Sequence, residues 1–210
     1  MPDIENLTRR RGRPRKVAGP DDILAAALRV FAETGFSRAR LEDVAREAGI
    51  SKATLYLYFD SKQAIFEALI RSAVVPNVER LEALVTGAKG SSADLLRTLV
   101  QAIGRVVIES ELSAFPKLII AEAANFPDLA QLYRAQVIER VLGVLASIVA
   151  RGVASGEFRP TDPRLAARLV IAPLLFSTSW KTCFVRDDEP RFDPAPLLSI
   201  HVETLIRGLA

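Results

Sequence analysis

Arg9, Arg10, Arg11, Arg13, Arg15 and Lys16 place six cations in eight consecutive positions, interrupted only by Gly12 and Pro14. Such a run cannot pack against itself, and its chemistry is that of a counter-ion for a polyanion. Within Arg11-Gly12-Arg13-Pro14-Arg15 the glycine lets the backbone approach the floor of a groove and the proline holds the chain extended. The flanking guanidinium groups of Arg11, Arg13 and Arg15 suit the narrow, electronegative A·T minor groove. Taken without context, the same run is a solvated tail. A second chemistry-bearing set is Lys52, Ala53, Tyr56 and Leu57, related by steps of three and four on one helix face. A cation that can donate to guanine O6 or N7 and an apolar side chain that can meet a thymine methyl are the parts of a major-groove reader. A Tyr- and Leu-bearing face is equally an ordinary protein contact.

Catalysis has few parts to work with. The one histidine, His201, and the one cysteine, Cys183, stand apart and without a companion cluster, so neither a Ser/His/Asp nor a Cys/His arrangement is in view. Walker loop, GxGxxG and HExxH patterns are missing, and one cysteine makes neither a disulfide nor a Cys-rich metal site. No enzyme activity, cofactor or metal is expected. At 210 residues, 50% hydrophobic and 25% charged, the chain can bury a real core. Mean hydropathy is +0.20, yet the longest stretch without Asp, Glu, Lys or Arg, Leu169 to Trp180, is 12 residues, too short for a membrane span. A basic start without an apolar run behind it makes the cytoplasm the expected compartment. The net charge of +3 is all N-terminal: residues 1–62 hold 12 Lys and Arg against 9 Asp and Glu, and residues 63–210 hold 16 of each.

The elements that must position these residues read as helices. Pro20 and Asp21-Asp22 start a helix whose apolar face is Ile23, Leu24, Ala27, Leu28 and Phe31, ended by Gly35. A second helix runs from about Leu41 to Ala48 and breaks at Gly49. Ser51 has the place of an N-cap for a third, Lys52 to Phe59, and Asp60-Ser61 opens a fourth. Two short helices joined at a glycine make a helix-turn-helix, with Lys52, Ala53, Tyr56 and Leu57 on the outer face of the second.

Phe36 through Phe66, with Leu41-Glu42-Asp43-Val44-Ala45, Ala48 through Phe59 and Ser61-Lys62-Gln63-Ala64-Ile65-Phe66, resembles the DNA-binding domain of TetR-type transcriptional repressors. The resemblance implies an all-α homodimer that reads a palindromic operator and is released from it by a small-molecule inducer. It also implies that Lys52, Ala53, Tyr56 and Leu57 lie nearest the bases and that Ser51, Thr54, Tyr58 and Lys62 grip phosphates. Where the family usually places Thr or Ser at the start of the second helix, this chain has Ala39 and Arg40, so Arg40 stands in with a charged contact. Position 57 is more often polar in the family. The Arg11–Arg15 segment in turn resembles an AT-hook.

The rest of the chain also reads as helical, about nine helices in all. Pro76 is expected to kink or interrupt the fourth, which joins a DNA-binding domain over 20–66 to a ligand-binding and dimerisation domain over 67–210, behind a flexible arm over 1–19. Later helices are expected over about 93–109, 116–125 and 127–154, from Asp162-Pro163 to about Phe184, and after Asp193-Pro194. Phe115 through Glu122 followed by Phe126-Pro127-Asp128-Leu129 resembles the AefR-like C-terminal domain. The last two helices, one carrying Leu197, Leu198, His201, Val202, Leu205, Ile206 and Leu209, suit a four-helix dimer interface with half-sites about 34 Å apart. Phe115, Glu122, Phe126, Tyr133, Phe176 and Trp180 are candidates to line an inducer cavity, against the plainer reading of core aromatics with Trp180 at the dimer interface. Glu122 needs a partner, Arg105 or a cationic ligand. His201 reads as a satisfied interface histidine and Cys183 as a small hydrophobe. Partners are thus a double-stranded operator, an inducer and a second copy, with no membrane. The competing reading is an architectural A·T-rich DNA-binding protein that works through its arm.

Overall fold

Gly19 donates its backbone N–H to the Asp22 carboxylate at 2.9 Å, and Pro20 has no N–H to satisfy, so α1 (Pro20–Thr34) starts where its sequence provides for it. The computed structural model describes residues 19–185 and 193–210; the basic run with Arg11, Arg13 and Arg15 lies outside them. Among the described residues the fold is all-α. Nine helices are formed: α1, α2 (Leu41–Glu47), α3 (Lys52–Tyr56), α4 (62–85), α5 (92–109), α6 (Ala114–Glu122), α7 (127–154), α8 (Pro163–Cys183) and α9 (Ala195–Leu209), with a 3₁₀ turn at Glu111–Ser113. None of the helices is long and apolar enough to cross a membrane.

Two elements depart from their expected form. Pro76 does not interrupt α4. A π turn, Ile70–Val74, precedes it, and Val75 donates to the Ile70 carbonyl, so the helix widens by one residue and the proline enters at the start of the next segment, where its missing N–H costs nothing. The third helix ends three residues early, at Tyr56. Leu57 and Tyr58 donate to the carbonyls of Thr54 and Leu55 in tight i→i−3 bonds, and the Ser61 hydroxyl then caps α4 by accepting from Ala64 N at 3.0 Å.

The core is built in two parts. One joins α1–α4 to α6 and the first half of α7. At its centre Phe36 packs edge-on against Phe31, Phe66 and Phe126 at 5.2, 5.0 and 4.8 Å, and Phe66 meets Phe115 at 5.5 Å. The first three helices therefore have no core of their own. The other part gathers the end of α4, α5, the second half of α7, α8 and α9. There Gly152 lets the Phe158 ring lie 2.1 Å from where a Cβ would stand. Glu157 accepts from Ser92 and Ala93 N at the start of α5, Arg97 forks onto Glu203, and His201 Nε2 meets the Val170 carbonyl at 2.9 Å, satisfied between α8 and α9 as its apolar surroundings require. Cys183 is exposed at the end of α8 rather than packed as a hydrophobe.

Candidate nucleic-acid interface

The turn between α2 and α3 is closed by backbone alone: Ile50 N donates to the Ala45 carbonyl at 2.9 Å and Gly49 N to Arg46 at 3.1 Å. Gly49 takes φ +69°, a conformation in which a Cβ would be strained. Ser51 Oγ accepts from Thr54 N at 3.0 Å and lies 2.8 Å from Thr54 Oγ1, so both hydroxyls are held at the start of α3. Leu55 is fully buried beneath this helix and anchors it, which turns Lys52, Ala53 and Tyr56 outward together. Leu57 is 83% exposed, the largest value among the exposed apolar side chains. Exposing a leucine to that degree has no folding benefit, and it stands beside Tyr56 and Tyr58, both also exposed. Arg40 is exposed at the N-cap of α2.

The charges on this face are arranged before any ligand arrives. Lys52 Nζ donates to Glu42 Oε1 across the helix-turn-helix and lies 5.7 Å above the Tyr56 ring. The hydrogen bond from Lys52 holds the Glu42 carboxyl below its usual range, and the same bond raises the Lys52 ammonium. Lys62 is placed differently from a phosphate contact. Its three N–H groups go to the carbonyls of Phe36, Ser37 and Ala39, and its charge sits 4.7 Å above the Phe36 ring. An ammonium has three donors and all three are used. Burial accordingly lowers its pKa, with Glu122 acting in the opposite direction. Lys62 thus shapes the loop that leads into α2.

Glu122 closes the same loop from the other side. Its carboxylate accepts from Ser37 N at 2.9 Å, from Ser37 Oγ and from Asn125, so its partners are Ser37, Asn125 and the nearby Lys62 charge rather than Arg105. Burial acts to raise this carboxyl, but those hydrogen bonds and Lys62 together hold it below its ordinary value. Ser37 and Glu122 are 85 positions apart, and no local pattern announces the pair.

A cavity of about 340 Å³ opens between α5, α6, α7 and α8, walled by Ile103, Ile119, Val137, Val141 and Ile171 among others. Of the six residues expected to line one cavity, it contains Tyr133 alone. Phe115 and Phe126 belong to the core that joins reader to body, Glu122 faces Ser37, and Phe176 and Trp180 lie exposed along α8, their rings 6.0 Å apart. Arg168, which the sequence reading passed over, stands at this cavity instead. Its signal was a cation one helical turn from the apolar Leu165 and Ile171, legible only once the neighbouring helices are known.

Residues 23–69 match bacterial regulatory proteins of the tetR family, and residues 94–196 match the C-terminal domain of AefR-like transcriptional repressors. Over 188 residues the chain is 24% identical to the fatty acid metabolism regulator protein of Bacillus subtilis (strain 168), covering 89% of this chain and 93% of that one. Among solved structures, the transcriptional regulator FadR from Bacillus subtilis in complex with stearoyl-CoA has a TM-score of 0.71 at 22% identity, covering 91% of this chain and 100% of that chain. A transcriptional regulator from Saccharomonospora viridis in complex with choline has a TM-score of 0.72 at 21% identity, covering 90% and 98%. Because the exposed reader and the helical body behind it each match their own part of one architecture, the chain belongs to the TetR family of bacterial transcriptional regulators.

Proposed function

We propose that this regulator is a cytoplasmic homodimeric repressor that holds a palindromic operator until a small molecule enters the cavity between α5 and α8. Residues 1–19 act as an arm, 20–66 as the reader, and 67–210 as the ligand-binding and dimerisation body. In this reading Lys52, Ala53, Tyr56 and Leu57 face the bases. Arg40, Ser51, Thr54 and Tyr58 hold phosphates, and the arm residues Arg11, Arg13 and Arg15 follow the minor groove.

The observation that carries the reading is the double role of α6. Pro116, Ile119 and Ile120 on this helix wall the cavity, and Glu122 at its end is hydrogen-bonded to Ser37 in the loop that enters α2. A ligand that displaces α6 therefore pulls on the reader. Coupling of this kind is worth about 1–3 kcal/mol in typical allosteric proteins. The relatives bind ligands as unlike as stearoyl-CoA and choline, so the fold leaves the ligand's chemistry to the residues of each cavity.

Selection of bound sites from random duplexes with the full chain tests this. The expected product is an inverted repeat with half-sites about one DNA turn apart. A.T-rich tracts without a repeated motif would overturn it in favour of the architectural reading.

A further inference from the structure

The cavity holds a group that its apolar walls do not need. Tyr133 is only 7% exposed, lines the cavity, and its hydroxyl has no hydrogen-bond partner among the described residues. Every fully buried polar side-chain atom among those residues is satisfied. The hydroxyl is therefore not completely sealed, and the cavity is the space that Tyr133 lines. Burial pushes the phenol well above its usual pKa, so it stays protonated and able to donate. Leaving such a donor without an acceptor is costly, and a ligand oxygen would relieve that cost.

Charge at the cavity has one sign. Arg168 on α8 is exposed and lines it, without a carboxylate partner among the described residues, and no Asp or Glu shares the lining. A quaternary ammonium ligand would meet a like charge and no counter-ion. The remaining wall is Ile, Val and Leu with Pro116 and Ala172, which favours a chain-like apolar body.

We propose that the cavity binds an acyl amphiphile, its hydrocarbon tail among Ile103, Ile119 and Val141, an acyl oxygen accepting from Tyr133, and its negative charge toward Arg168. The proposal rests on the ligand-controlled reading above for its consequence at the operator, and on the cavity alone for binding. Two sources share this chemistry. In a free fatty carboxylate one group serves both residues; in a coenzyme A thioester the carbonyl serves Tyr133 and the phosphates serve Arg168.

Calorimetric titration of the full chain with dodecanoate, dodecanoyl-CoA and dodecyltrimethylammonium, each below its micelle concentration, tests the assignment without DNA. At least one acyl compound is expected to bind and the ammonium to bind far more weakly; which acyl compound binds identifies the source. Tyr133→Phe, which keeps the ring and its packing, should weaken acyl binding about tenfold. Arg168→Gln, at an exposed position, should weaken the same ligand without altering the melting temperature. Ammonium binding as tight as acyl binding, no binding of either acyl compound, or unchanged acyl affinity in Tyr133→Phe would overturn the proposal. Operator release is read separately by gel shift: acyl binding that leaves the operator complex intact supports the ligand assignment and removes the repressor reading.

Discussion

In the proposed reading Glu42 is a carboxylate on the face turned to the phosphate backbone, and it holds the cation proposed to read a base. Lys52 can give its N–H groups to Glu42 or to guanine, and the exposed pair offers little net stability in return because water competes for both partners. The lowered Glu42 carboxyl and raised Lys52 ammonium keep the pair ionised throughout the neutral range. Glu42→Gln is therefore expected to tighten binding to specific and nonspecific duplexes alike, about two- to fivefold at low salt, with an unchanged melting temperature. Fluorescence anisotropy across a salt series checks this. Weaker binding by the variant would mean that Glu42 positions Lys52 for the bases instead of competing with them. The face itself was legible in the sequence, since Lys52, Ala53, Tyr56 and Leu57 are one helix turn apart and Leu55 lies opposite. The Glu42 partner was not, because it joins two helices whose crossing depends on the Gly49 turn. For the same reason the three carbonyls around Lys62 were not legible: its position at a helix start is local, whereas they arrive from the loop between α1 and α2.

At the scale of elements, helix boundaries were written in punctuation: Pro20, Gly35, Ser51, Ser61 and Asp162-Pro163 all sit where helices start or stop. What those residues cannot say is which helix shares a core with which. Phe115 and Phe126 looked like cavity residues because they are aromatic and regularly spaced, yet they fill the joint where α6 and α7 meet the reader. The Glu122–Ser37 hydrogen bonds lie at that joint and make it pH-sensitive. Glu122 has a folded pKa below its ordinary value of 4.5. A carboxyl shifted in that direction contributes stability that is complete above 4.5 and is lost as pH falls through the lower folded value. Glu122→Gln should thus lower the melting temperature near neutrality, and the gap between variant and wild type should narrow at an acidic pH below the folded value, where both side chains are uncharged. Thermal melts of the two proteins at the two pH values measure that difference directly, with the other acidic groups common to both. A gap of constant size would place the contribution of Glu122 in packing and not in its charge.

For the whole molecule the decisive surface is α8, which is apolar on two sides. One side, with Ala167, Val170 and Leu174, is buried within the chain. The other carries Leu165, Leu169, Phe176 and Trp180 in steps of four, seven and four, and Ile200 is exposed on neighbouring α9; Phe176 is 62% exposed and Ile200 67%. A row of large apolar side chains on two neighbouring helices is more than a monomer normally leaves in water, and a two-fold axis would set it against its own copy. In the proposed reading one short α3 offers few contacts to an operator, and tying two of them together would set the affinity. Phe176→Glu places a charge on the proposed axis without removing any buried contact within the subunit. It is expected to give a monomer by analytical ultracentrifugation with unchanged helical circular dichroism, and to lose operator affinity by about 10²- to 10⁴-fold, the effective-concentration advantage of a linked second site. Ile200→Glu, on the other helix of the patch, should act in the same direction. If both variants remained dimeric, the assembly would have to use another face, and the spacing of its two readers would no longer be set by α8 and α9. If they were monomeric but bound the operator at wild-type strength, a single reader with its arm would suffice, and the two-site account of recognition would fail.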